Sequence, residues 1–433
     1  MNGDLERLRR MRELQGNHPR QSFRIPGADA LNHPAHTQGS PFLGLERRQT
    51  GAPQPIEALM NGVLRENAYG AGYVIPTVHD PDYRHGGRLL SGWLDQDLGA
   101  AAEFTAGALP SIDPRRCLFL DTETTGLSQG AGTLVFLIGV GFFTESGFEV
   151  HQYFLRDPAE EPAMLEALYG VIAAHDALVT FNGRSFDVPL LNSRYLLNRR
   201  RVHLEEMPNL DLLYPARKLW KRRLESCRLG HLEAEILGVE RTEQDVPGWY
   251  IPQLYQDYVV TKDARDMTRV IYHNLMDVLS MVTLGAQLCE TFVEPANKQL
   301  PGKDWLSLAR WYERLGRSAD AEAAYQSAFD AARRDEEMLI VIQHLTAFLK
   351  KQGKAQEAAP HLETWAALQP RAVEPRLELA KYHEWTSKDL AQAVRWTEDA
   401  LTTVQAWGVS LIREGTVAEI EHRLDRLRRK IHV

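Results

Sequence analysis

The chain has 433 residues, 44% of them hydrophobic and 25% charged, a balance that excludes collagen-like and wholly disordered architectures. Lys and Arg number 50 against 58 Asp and Glu, so the formal net charge of −8 excludes a histone-like polycation. It does not exclude a local basic strip that holds nucleic acid, and the length leaves room for two domains and a further segment.

Cys117, Cys227 and Cys289 are far apart and odd in number, so they form neither a disulfide framework nor a zinc-type spacing. That usage suits a reducing cytoplasm. The first ten residues lack the apolar core of a secretory signal. The longest apolar run, 134–143, is about half of the ~20 residues a membrane helix needs. A cytoplasmic protein without membrane contact is expected.

In chain order, residues 4–15 have helical spacing and strong charge, and the following stretch lacks periodicity, so 1–55 reads as a flexible leader. Residues 56–113 hold a short helix (56–66), an extended stretch (69–77) and turn-rich sequence around His85, Gly86 and Gly87. They read as an appendage packed on the domain that follows.

Residues 114–292 carry the most informative order. Strands are expected at 117–121, 134–143 and 148–155. A helix entered through Glu161 and Pro162 then places Met164, Leu165, Leu168, Val171 and Ile172 at three- and four-residue spacing. A strand at 177–181, a helix at 187–198, a candidate strand at 209–213 and a long helix near 264–288 complete the pattern. Three strands in series followed by alternating helices and strands predict an α/β fold, a ribonuclease-H-like mixed sheet flanked by helices.

Residues 300–433 read as an all-α domain of tetratricopeptide repeats. Trp305, Leu308, Ala309, Tyr312, Gly316, Ala321, Tyr325 and Ala328 have the offsets of one repeat. A second copy, 37 residues on, has Leu345, Leu349, Gly353, Ala358 and Leu362, and a weaker third has Leu379, Ala380, Tyr382, Ala393 and Ala400. Small residues stand where helices would cross closely and large ones where they would interlock, so each repeat covers the apolar face of the next. A plain helical bundle is the alternative.

The chemistry concentrates in three places. Asp121 and Glu123, two apart at a strand end, leave on one face. Two such carboxylates repel and raise each other's pKa unless a cation sits between them, and an oxygen-only pair suits Mg²⁺ or Mn²⁺. Asp187 opens a helix, where it caps the helix or serves the same site. Asn182 stands at the preceding strand end within reach of a bound strand, and Phe186 is placed to wedge against a base. His273 and Asp277, four apart on the long helix, share one face, fitting a proton acceptor and a metal carboxylate.

Together these motifs resemble the DEDD exonucleases, the superfamily that includes polymerase proofreading domains. The sequence Asp121-Thr122-Glu123-Thr124-Thr125-Gly126 looks like their first motif, and the run from Asn182 to Pro189 like their second. The third motif departs from the pattern. Members carry a Tyr with three residues, or a His with four, before the last Asp; here His273 has three and Tyr272 four. Helix geometry favours His273, since Tyr272 points roughly 100° away. A wider segment is similar to bacterial predicted exonucleases with C-terminal tetratricopeptide repeats, through Leu229, Glu233, Leu237, Gly238, Arg241 and Asp245 to Gly248, followed by His273, Asn274 and Asp277.

The resemblance implies a 3′–5′ exonuclease that hydrolyses single-stranded DNA or RNA with two divalent ions. Asp121, Glu123, Asp187 and Asp277 would hold the ions, His273 would act as base, and Thr124, Asn182, Arg184 and Phe186 would contact substrate. Between Arg184 and Arg228 eleven basic residues face five acidic ones, with Trp220 set among Arg217, Lys218, Lys221, Arg222 and Arg223. A basic strip with an aromatic holds single strands without reading sequence; a solvated helix face is the alternative. Asp211 either joins the metals or serves the strand end, and Asp245 is read as shaping the turn at Pro247 and Gly248. A ribonuclease-H-fold endonuclease or resolvase, or a non-catalytic scaffold, are the rival functions. A protein partner in the groove of the repeats is also expected.

Overall fold

The computed structural model describes residues 51–98, 103–104, 112–126, 132–407 and 411–431. The expected leader lies outside the described residues up to residue 50. The strands in chain order are β1 (Val63–Asn67), β2 (Gly70–His79), a small hairpin of β3 (Arg84–His85) and β4 (Arg88–Leu89), β5 (Cys117–Thr124), β6 (Val135–Thr144), β7 (Gly147–Phe154), β8 (Ala177–Thr180) and β9 (Asn209–Asp211). Alternation along β5 dictates the layers. Leu118 and Leu120 point to one face, Cys117 and Phe119 to the other, and all four are buried, so the strand needs cover on both sides.

The main sheet has the order β1-β2-β7-β6-β5-β8-β9. Its β1, β2, β7, β6 and β5 pair antiparallel, while β8 and β9 run parallel to β5. This is the mixed sheet that the sequence predicts, with two more strands at one edge. Residues 63–79, read as part of an appendage, are those two strands, and the expected helix stops early as α1 (Ile56–Leu59). The stop has a local cause: the Tyr73 hydroxyl accepts the Gly62 N–H at 3.1 Å and donates to the Met60 carbonyl at 2.8 Å, fixing a turn between α1 and β1.

One face is covered by α2 (Glu161–Ile172) and α3 (Asp187–Leu197), with α4 (Leu213–Trp220) and α5 (Leu229–Leu232) on the other, and then by α6 (Ile251–Thr261) with the first face again. The long helix α7 (Met267–Val293) contributes Val270 and Ile271 to the first core and Val278 through Phe292 to the second. Residues 273–277 lie between those two commitments. By length and hydropathy α7 could cross a membrane, yet most of it is buried against the sheet.

Helices α8 (Gly302–Arg314), α9 (Ser318–Ala331), α10 (Asp335–Lys351), α11 (Ala355–Leu368), α12 (Glu374–Trp385), α13 (Leu390–Gln405) and α14 (Leu411–Ile431) make the C-terminal region entirely helical. Ala309, Ala321, Ala328, Ala358, Ala393 and Ala400 are all buried where consecutive helices pack. The region shares a core with the sheet: the rings of Phe292 in α7 and Trp311 in α8 are 4.8 Å apart.

Candidate metal centre and cleft

The centre is built on a close approach of α7 to the sheet. Asp121 in β5 pairs in register with Gly139 in β6, and a Cβ at Gly139 would collide with the Asn274 carboxamide. With no side chain there, fully buried Asn274 donates from Nδ2 to Asp121 Oδ2 at 2.8 Å. Its Oδ1 accepts from Gln152 Nε2 at 2.8 Å, and the same Gln152 amide donates to the Ile271 carbonyl at 2.8 Å. A polar chain from β7 through α7 therefore orients the first carboxylate.

One turn away, His273 and Asp277 face the same place. His273 Nε2 lies 4.0 Å from Glu123 Oε1 and 3.7 Å from Asp277 Oδ2. Glu123, His273 and Asp277 offer ligand atoms all within 4.8 Å of one another. Tyr272 points elsewhere, its hydroxyl 3.5 Å from the Thr242 N–H. Asp187 is the first residue of α3, but its Oδ1 accepts the Thr122 hydroxyl of β5, which ties it to the strand between Asp121 and Glu123.

The charges are unbalanced. Burial, reinforced by Asp277, Glu123 and Asp187, pushes the Asp121 carboxyl well above its ordinary range. Burial likewise raises Glu123 to about 8, against the opposing pull of His273. Asp187 is raised by burial to about 6, with the Thr122 hydrogen bond holding it back. Burial alone would lower His273, but Asp245, Asp277 and Glu123 outweigh it and raise the imidazole to about 9. A set of partly buried oxygen donors that repel one another is what a hard divalent cation satisfies. The residues therefore fit such an ion.

Three groups that the sequence reading gave no site role complete the centre. Asp245, read as a turn residue, has Oδ1 2.7 Å from His273 Nδ1. Arg241 Nη1 lies 3.0 Å from the same Nδ1. One nitrogen cannot serve both, and the shorter contact with a carboxylate assigns a proton to Nδ1 and leaves Nε2 facing the acids. Arg241 also grips Glu233 through two bonds of 2.6 Å and bonds Asp277 Oδ1. Glu233 sits in a wide helical turn (Glu233–Leu237) and accepts the Ser280 hydroxyl at 2.5 Å. Glu233, Arg241, Asp245 and Asn274 all belong to the family-like pattern, so a signal was present for each.

A cleft of about 710 Å³ opens on Asp121 and Asp277, lined by Phe181, Asn182, Arg217, Lys221, Cys227 and Arg228 among others. Exposed Asn182 has φ 67°, a left-handed conformation that Asn tolerates, with its N–H bonded to Asp211 Oδ1 at 2.7 Å. The other residues singled out in the sequence have the following surroundings. Asp211 accepts three backbone N–H groups, of Asn182, Arg184 and Leu213, so it shapes the strand end. Thr124 donates its hydroxyl to the Gly126 carbonyl at 2.7 Å, closing the turn after β5. Phe186, partly buried, packs against the core under α3, and Phe181 is the aromatic that lines the cleft. Arg184 lines a different cavity, with Glu205 and Glu206. Trp220 is buried, and Arg223 bonds both oxygens of buried Asp304 at 3.0 Å. Arg223 is thus a strut between the turn after α4 and α8, while exposed Lys221 and Arg222 remain on the surface.

Residues 118–289 match the RNase_H superfamily (RNase_H_2), which makes this sheet and its helices a ribonuclease-H-like domain. The chain belongs to the family of a Bacillus subtilis (strain 168) protein whose name is "Uncharacterized protein YprB". The two are 30% identical over 315 residues, 72% of this chain and 74% of the relative. A solved structure with some likeness is the family B DNA polymerase of the hyperthermophilic archaeon Pyrobaculum calidifontis, 19% identical with a TM-score of 0.31. That likeness covers 54% of this chain but only 29% of the polymerase.

Proposed function

We propose that this chain is a metal-dependent 3′–5′ exonuclease of the DEDD type acting on single-stranded DNA or RNA. The observation that carries the reading is the meeting of Asp121, Glu123, Asp187 and Asp277, drawn from β5, α3 and α7, as mutually repelling acids beside a cleft walled by cations. These four would hold two ions of Mg²⁺ or Mn²⁺, which when bound supply Lewis-acid stabilisation of the phosphodiester oxygens.

The chain's own groups do the rest. Asn274 holds Asp121 in one orientation, and Arg241 holds Asp277. Asp245 keeps the His273 Nδ1 proton in place, and once cations held by Glu123 and Asp277 offset the acids that raise the imidazole, Nε2 would be free to take the proton from the attacking water. Water oxygen attacks phosphorus, the bond from phosphorus to the 3′ oxygen breaks, and that oxygen takes a proton from solvent as a 5′-mononucleotide departs. Arg217, Lys221 and Arg228 neutralise backbone phosphates in the cleft. The C-terminal helices read as tetratricopeptide repeats that take a peptide from a partner protein.

The test is incubation with end-labelled single-stranded DNA and RNA, with Mn²⁺ or with chelator. Successive mononucleotides that disappear with chelator and in D121N are expected. A few large fragments would mean an endonuclease, and no turnover on either strand would overturn the proposal.

A further inference from the structure

Beside the catalytic cleft lies a second groove, of about 530 Å³, between α4 of the sheet domain and α8, the first helix of the C-terminal region. It shares Arg217 and Lys221 with the cleft, so the two are contiguous. Tyr214, Arg217, Lys218 and Lys221 recur at three- and four-residue spacing and so share one face of α4 and its C-cap. Ser307, Arg310 and Arg314 do the same on α8. The groove is where those two faces confront each other.

Its charge is one-sided. Arg217, Lys218, Lys221, Arg222, Arg310 and Arg314 line it, and no acidic residue does. Among the described residues none of the six enters an ion pair. Asp304 on α8 is already held by Arg223. Like charges gathered without counter-charge repel and lower stability, yet the Arg223–Asp304 strut and the shared apolar core hold the helices together at this place. Lys218 extends over the Trp311 ring, 4.8 Å from its centroid, which aims it rather than neutralises it. Tyr214 is 42% exposed, offering a ring to stack on.

We infer that this groove is the continuation of the substrate track: single-stranded nucleic acid leaving the cleft runs over Arg217 and Lys221 and lays its phosphates between α4 and α8. The C-terminal helical region thereby binds substrate directly through Arg310 and Arg314. Arg is suited to the task because its planar fork meets phosphate oxygens in pairs, and a cationic groove with an aromatic platform holds a strand without reading bases. This inference rests on the nuclease reading for the identity of the strand, but its test does not need turnover.

The experiment is fluorescence anisotropy of full-length protein with fluorescein-labelled oligothymidylate and oligouridylate of 5 and 20 nucleotides, in chelator, across a salt series. R310E/R314E is expected to weaken 20-mer binding at least tenfold. It should also shrink the gain in affinity from 5 to 20 nucleotides. Two lost phosphate contacts make the logarithmic salt slope shallower by about 1.4, at ~0.7 per phosphate for single strands. R310Q/R314Q should show a smaller shift of the same sign. Both variants should melt no lower than wild type, because each removes repulsion. Unchanged 20-mer affinity and slope in both variants would overturn the inference. So would a 20-residue polyglutamate peptide that bound wild type as tightly as the oligonucleotide. Groove binding without Mn²⁺-dependent hydrolysis breaks only the nuclease reading; hydrolysis with groove variants that bind like wild type breaks only this one.

Discussion

Glu384, near the end of α12, and the Asp121–Glu123 pair in β5 are all acids withdrawn from water, but their surroundings differ in kind. Glu384 is met by Arg423 and Arg426 at 2.7 Å and by Lys430 at 2.6 Å. Burial works against its charged form, but these three cations prevail and lower its pKa. Among the described residues neither Asp121 nor Glu123 has a Lys or Arg at ion-pair distance, and both are pushed upward. Acids clasped by cations of their own chain are struts. Acids turned toward one another are fitted for a cation that comes from outside.

The sharpest way to break that contrast is a pair of substitutions with opposite signatures. D121N should reduce hydrolysis by ~10⁴ or more, since the residue faces the reacting centre, while its melting temperature stays level or rises because a repelled charge is gone. E384A should do the reverse: activity within twofold of wild type, but about 3–5 kcal/mol less stable in urea titration, as expected when one partner of a buried ion cluster is lost. Identical directions in the two variants would erase the distinction. H273Q, which keeps the size of the ring roughly but removes the proton acceptor, should lower kcat by ~10²–10³ with KM little changed. If its kcat matched wild type, another group would have to be the base.

Metal addition sharpens the same comparison without mutation. Mn²⁺ at about 100 times its Kd should stabilise wild type by ~2.7 kcal/mol in calorimetric melts, and D121N should lose most of that gain while E384A keeps it. The smallest effect belongs to Glu290, a half-buried acid held by Arg88 at 2.8 Å and Lys298 at 2.5 Å, with its pKa lowered by those partners to about 2. A depressed carboxyl contributes stability that is present above its ordinary value of 4.5 and lost as pH falls toward 2. Solvent screening keeps this below about 1 kcal/mol. E290Q should remove that part of the acid-side slope in melts between pH 5 and 2.

What was legible in the sequence follows from where the deciding interaction lies. The strands β5, β6 and β7 and the helix α7 could be read because apolar runs and periodicity are local. The paired acids, with His273 and Asp277, could be read because strand and helix periods fix which side chains share a face. The extended stretch at 69–77 is found as β2, whereas the helix expected over 56–66 stops at Leu59 because the Tyr73 hydroxyl, not local propensity, ends α1. Arg223 and Trp220 look like substrate groups in a basic run, and only the arrival of α8 turns one into a strut and buries the other. Asp245 and Arg241 gain their roles from α7, which is far away along the chain.

The bare backbone at Gly139 and Gly141 has a wider consequence. A methyl group at either place would meet Asn274 or the Phe148 ring and Val278, and α7 would have to stand off from the strands. Asp121 and Glu123 would keep their seats on β5 while Asp277 and His273 withdrew with the helix. The alignment of the centre therefore depends on the absence of a side chain at these two positions. An uncharged alanine there could disarm the protein with every acid still in its sequence.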